Sequence, residues 1–136
     1  MLIRDDIIVM EFKNWMCEVR FGKYPTSGLT YIRLMDFDNG EPIATATTNV
    51  THTPIVERLK QENVIIKNYS ENKGMAEALI RSDILEPTPV GTMIYSDWGV
   101  STDNINRMMM PVMRLTQSVL DNDVFQSDIA KGGDDG

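Results

Sequence analysis

The chain carries one imidazole, His52, and one thiol, Cys17. A lone histidine cannot supply the paired imidazoles of a zinc site, and a lone cysteine can form neither an intrachain disulfide nor a cysteine metal cluster. His52 lies in a Thr-rich stretch and reads as a surface residue. Cys17 alternates with polar neighbours and reads as a small core hydrophobe rather than a nucleophile. Asp36-Phe37-Asp38-Asn39-Gly40-Glu41 spaces its acids like the start of a calcium loop. The chain then runs into Pro42-Ile43-Ala44 with no ligating glutamate where such a loop would close, so the segment reads as a hairpin turn. Asp97, Asp103, Asp121 and Asp123 could supply paired carboxylates for acid–base work, but nothing in their spacing selects a pair. There is no phosphate-cradling glycine loop, dinucleotide fingerprint or Gly-x-Ser-x-Gly elbow. No catalytic, cofactor-binding or metal-ligating residue is assigned, and the chain is read as a binding protein without enzymatic activity.

The methionines are the unusual feature. Five of the ten are Met93, Met108, Met109, Met110 and Met113. Met93, Met109 and Met113 read as filling for an irregular core. Three consecutive methionines cannot all point inward from one strand, however, so at least one of Met108, Met109 and Met110 is expected at the surface or in an interface. Just before them, the polar, turn-rich stretch 96–106 contains Trp98. Tryptophan dominates the energetics of many interfaces. The expected partner-binding surface is therefore Asp97, Trp98, Asp103, Met108, Met109 and Met110.

The elements that must position these residues follow from periodicity. Residues 7–12 form a β-prone run, and Lys13-Asn14 a turn. Trp15, Cys17, Val19 and Phe21 alternate with Met16, Glu18, Arg20 and Gly22, the period of a half-buried strand. Tyr24-Pro25-Thr26-Ser27-Gly28 is turn chemistry before a strand over 29–37. Asn39-Gly40 suits a tight hairpin into a fourth strand over 42–50. Residues 51–63 read as a loop and 64–66 as a short, central strand. A helix over roughly Glu71 to Ser82, capped by Ser70 or Asn72, buries Met75, Ala76, Leu79 and Ile80. Strand-like pieces follow at Gly91–Tyr95 and Pro111–Leu115, then a short helix from Thr116 or Ser118 to Ser127. The expectation is an α+β fold: an antiparallel meander with one main helix on one face and a short C-terminal helix. It forms a single domain over 1–128, followed by a mobile acidic tail over 129–136.

At 136 residues the chain is long enough to bury a core unaided, and its 42% hydrophobic content is ordinary. Apolar runs such as Ile7 to Met10 are too short to span a bilayer, and the N-terminus lacks a signal-peptide pattern, so a cytoplasmic location and no membrane partner are expected. A net charge of −7 opposes phosphate backbones, so duplex nucleic acid is not an expected partner. Arg4, Lys13, Arg20, Lys23 and Arg33 are scattered and read as ordinary solvated charges.

Several segments resemble a group of small phage- and plasmid-borne proteins whose domain has no assigned function. They are Tyr24-Pro25, Tyr31-Ile32-Arg33-Leu34, the run from Gly40 to Val50, Val64 to Met75, Ala78-Leu79, Ile84 to Thr88, and Pro111 to Thr116. Lys67-Asn68-Tyr69-Ser70-Glu71-Asn72-Lys73-Gly74-Met75 is the most specific. The resemblance covers roughly residues 15 to 116. It implies a mobile-element origin and carries over no site residue. Relative to that pattern, stretch 96–106 looks lengthened and the segment after Thr116 looks added. The expected function is that of a phage or mobile-element accessory protein binding a host or defence macromolecule. The alternatives are a virion or assembly component and a protein that sequesters a small molecule such as a nucleotide signal. A homo-oligomer is compatible with each.

Overall fold

The computed structural model describes residues 1–49, 59–96 and 107–131, with backbone alone at 93–96 and 107–109. Two left-handed turns start the fold. Asp5 and Asp6 have φ of 51° and 64°, and Lys13 and Asn14 have φ of 49° and 70°. Two consecutive residues at positive φ give the turn twist that matches flanking antiparallel strands. These turns link β1 (Leu2–Arg4), β2 (Ile7–Phe12) and β3 (Trp15–Lys23). β4 (Thr30–Asp36) and β5 (Pro42–Thr45) complete a five-stranded antiparallel meander in the order β1-β2-β3-β4-β5.

The last two links of the meander share one geometry. The Gly40 N–H donates to Asp36 O at 2.8 Å and the Asp36 N–H to Glu41 O at 2.7 Å; the Gly28 N–H donates to Tyr24 O at 2.7 Å and the Tyr24 N–H to Leu29 O at 2.8 Å. Each loop closes on a left-handed glycine, with φ of 76° at Gly40 and 77° at Gly28. The Asn39-Gly40 hairpin is thus a four-residue loop with only its last residue at positive φ, rather than the two-residue turn the dipeptide suggested. The Asp36 carboxylate accepts the Asp38 and Asn39 N–H groups at 2.8 and 3.3 Å, which uses it inside the turn.

The expected single sheet is two. β6 (Asn63–Ile65), β7 (Gly91–Ser96) and β8 (Arg107–Arg114) form a second, three-stranded sheet in the order β6-β8-β7. Beyond Thr45 the chain leaves β5 but continues alongside β6. A bridge joins Thr47 to Ile66, the Thr48 N–H donates to Ile65 O at 3.0 Å, and the Lys67 N–H donates to Ala46 O at 2.8 Å. This seam stitches the sheets together. It also explains why the run 64–66 is apolar throughout: Val64 and Ile66 enter the main core, while Ile65 enters a second cluster with Tyr24, Leu29, Tyr31, Met110 and Val112. β8 is longer than the piece expected from Pro111 onward. Pro111 is tolerated in this central strand because it lies one residue past the end of β6, whose Asn63–Ile65 pair with Met113's neighbours Arg114 and Val112 and with Met113 itself. Its carbonyl still takes the Ile66 N–H at 3.0 Å.

The main helix is shorter than its apolar stripe. A 3₁₀ turn at Ser70–Asn72 precedes α1 (Met75–Arg81), and Gly74 at φ 88° separates them. Neither Ser70 nor Asn72 caps α1; the Asn68 side chain accepts the Ala76 N–H at 2.9 Å instead. Asn72 is buried and donates to Thr45 O at 2.7 Å, which fastens the turn to the sheet. Met75, Ala76 and Leu79 are buried as expected; Ala78 joins them, while Ile80 is only partly buried against the core. Leu79, fully buried in the main core, supports a direct test: Leu79→Ala is expected to lower the unfolding free energy by about 2–5 kcal/mol in urea denaturation.

The C-terminal helix is two helices, α2 (Gln117–Leu120) and α3 (Asp123–Ala130). Thr116 and Asn122 each cap one, with side-chain oxygens accepting Val119 N–H at 3.3 Å and Val124 N–H at 2.8 Å. The boundary expected at residue 128 falls inside α3, because Ile129 is packed into the main core. Residues 132–136 of the expected tail lie outside the described residues. The architecture is α+β, antiparallel, with helices lining the main core.

Candidate functional site

Cys17 is fully buried in β3, facing the main core. Burial, and secondarily the charge of Asp36 across the strand pair, pushes its thiol up to about 11, so almost no nucleophilic thiolate exists near neutral pH. The folded protein at pH 8 is expected to resist iodoacetamide, while the urea-unfolded chain reacts fully; mass spectrometry reads the difference.

α3 meets the sheet through a buried carboxylate. β2 pairs with β3 only from Val9↔Glu18 to Phe12↔Trp15, which leaves the Phe21 N–H beyond the ladder. Asp128, 4% exposed, reaches that gap and accepts the Phe21 N–H at 3.0 Å. The same carboxylate accepts Arg20 Nε at 2.9 Å and a second Arg20 N–H, a bidentate pair, while Arg20 also donates to Glu18 at 3.1 Å. The Phe125 ring stands edge-on to Phe21 at 5.1 Å. A hollow of about 280 Å³ beside this cluster is lined by Asp6, Glu18, Arg20 and Asp123. The Asp128 carboxylate and the Arg20 guanidinium are matched to each other, to Glu18 and to the Phe21 N–H, and so tie α3 to β3.

Three arginines scattered in sequence share one face of the sheet. Arg20 lies directly opposite Arg33, and Arg4 opposite Ile7 in the strand beyond. Arg20 is neutralised by Glu18 and Asp128. Arg33 lies over the Tyr31 ring at 4.5 Å, and Arg4 over the Phe37 ring at 5.6 Å. The Tyr31 ring in turn crosses the backbone of Gly22, its partner on β3.

The expected partner-binding residues divide. Asp97, Trp98 and Asp103 lie outside the described residues, as does His52. Met108 and Met109 belong to β8, opposite Tyr95 and Ile94. Met110 is 2% exposed in the second cluster, so it is a core residue of this chain rather than a surface contact. Met113 is core, as expected.

An exposed apolar surface lies elsewhere, on the first three strands. Leu2 and Ile3 of β1 are 53% and 42% exposed, and Trp15 and Met16 at the start of β3 are 53% and 37% exposed. Leu2 and Met16 line a hollow of about 440 Å³ with Val9 and Met10, to which Glu11 and Arg81 add polar groups. Periodicity places no element at residues 2–4, so it does not anticipate this surface. The signal that could have revealed it is the Asp5-Asp6 pair between two apolar dipeptides, a turn without the customary glycine or asparagine.

No protein-family model, curated protein or solved structure matches the chain. No helix among the described residues is long and apolar enough to cross a membrane.

Proposed function

We propose that the chain acts by binding another protein, as a phage or mobile-element accessory protein directed at a host or defence macromolecule in the host cytosol, without catalysing a reaction. The supporting observation is that Leu2 and Ile3 of β1 and Trp15 and Met16 of β3, the first and third strands of one sheet, are exposed, with Leu2 and Met16 lining one hollow. Large apolar side chains grouped at a surface, with a tryptophan among them, are what interface hot spots are made of. Isolated exposed apolar residues need no such explanation; Leu2 and Met16 meeting at one hollow do.

The test is affinity capture from a lysate of the host, comparing the parent chain with Trp15→Ala, Met16→Asp and Trp98→Ala. A protein captured by the parent and reduced by Trp15→Ala or Met16→Asp, at an unchanged melting temperature, supports the reading. Loss only with Trp98→Ala would move the surface to stretch 96–106. Recovery of the chain in purified particles would make it a virion component, and a co-purifying nucleotide would make it a sequestering protein. Either result displaces the proposal.

A further inference from the structure

The β1 edge has a specific backbone polarity. The turn Asp5-Asp6 has two residues, both left-handed, so the flanking pair Arg4↔Ile7 exchanges hydrogen bonds between β1 and β2. Bonding alternates along an antiparallel ladder, so Leu2↔Val9 is also a bonded pair and Ile3↔Ile8 is not. The Ile3 N–H and C=O therefore point away from the sheet. β1 is the outermost strand, and all three of its residues are exposed. Such an edge, with apolar side chains on both faces, is a template for another strand.

Resting on the protein-binding reading above, we infer that β1 is the docking edge for an extended segment of a partner protein, alternately apolar and cationic, which adds to the five-stranded sheet through the Ile3 backbone. An extended occupant is required because only an extended backbone can present a carbonyl and an N–H to Ile3 at strand spacing. Side chains on one face of the added strand meet Leu2 and the hollow floored by Val9, Met10 and Met16. Cationic character follows from the surrounding charge. Asp5 and Asp6 are exposed at one end of β1 and Glu11 lines the hollow, while at the other end Asp83 is paired with the Met1 ammonium at 3.4 Å; Arg4 and Arg81 partly offset the acids, and the whole chain carries −7. The same charge argues against a second copy, which brings a further −7.

The test uses the full chain and a blocked synthetic peptide of alternating lysine and valine. The peptide is expected to bind and to slow hydrogen exchange at the Ile3 amide. A version with glutamate for lysine, and one N-methylated at alternate positions along the edge-facing side, are each expected to bind about tenfold or more weakly. Ile3→Pro removes the outward donor at an edge position that tolerates proline, so its melt should stay within about 4 °C of the parent while peptide binding falls by a similar factor. Undiminished binding by folded Ile3→Pro, or equal binding of the N-methylated peptide, overturns strand addition; the second arm stands even if Ile3→Pro does not fold. A parent chain that sediments as a dimer and becomes monomeric on Ile3→Pro assigns the edge to a second copy and overturns the proposal too. Host-protein capture that depends on Trp15 but not on Ile3→Pro would leave the broader binding function standing while removing strand addition.

Discussion

Asp128→Ala is expected to lower the unfolding free energy by about 2–4 kcal/mol. A fully buried pair broken on one side costs about 3–5 kcal/mol, and the lower figure reflects Arg20, whose side chain is 40% exposed and can be rehydrated. An orphaned Phe21 N–H adds to the loss, because Asp128 is the group that satisfies it beyond the end of β2. Asp128→Asn keeps an acceptor for that N–H but turns an amide toward a guanidinium, so it should fall between Asp128→Ala and the parent. Glu18→Ala removes only the more solvated arm of the network and should cost less than about 1 kcal/mol. Urea denaturation of the three variants gives the ranking. An Asp128→Ala loss no larger than that of Glu18→Ala would show that α3 is held by Phe125 and Ile129 alone.

Gly22→Ala is the second large effect, and it comes from space rather than from backbone freedom. A Cβ at residue 22 would lie 2.3 Å from Tyr31 Cζ and 2.4 Å from its hydroxyl oxygen. The ring has little room to yield: Tyr31 is 5% exposed, Tyr24 packs on it at 5.4 Å and Arg33 lies over it at 4.5 Å. Overpacking of this kind costs about 1–3 kcal/mol, and the rigid surroundings place Gly22→Ala at the upper end. The clash has one source, so it should vanish with that source. In a Tyr31→Ala background, Gly22→Ala is expected to be neutral or stabilising by about 0.5–1 kcal/mol, the usual advantage of alanine over glycine in a strand. A double mutant in which the two losses simply add would disprove the contact.

Much of the fold could be read directly. Alternation of Trp15, Cys17, Val19 and Phe21 placed the core face of β3, since side chains on a strand point to opposite faces whatever surrounds it. Cys17 was legible as core for that reason, and Leu79 from the helical spacing of its apolar stripe. What could not be read depended on residues far apart in the chain. The Thr47↔Ile66 seam turns one meander into two joined sheets, and nothing in either residue's neighbours announces the other. Asp128 looked like one acid among twenty; only the short reach of β2 along β3 opens the gap that it fills. Gly22 passed as an ordinary strand glycine because its constraint is a ring nine residues away.

The candidate site shows the same division. Alternation put Trp15 on the core face of β3 and Met16 among the polar residues of the other face, and Leu2 and Ile3 were assigned to no element, so no surface role was read for the four. Conversely, Met110 seemed available for a partner because three methionines in a row cannot share one face; the structure resolves this by burying Met110 against Tyr31 and Val112 in the second cluster. By itself the sequence determined the α+β class, the strands over 7–36 and the acidic field, because these follow from residue type and near-neighbour spacing. Tertiary structure alone decided which apolar residues were left uncovered and which carboxylate was buried, because burial depends on what the rest of the chain brings within reach.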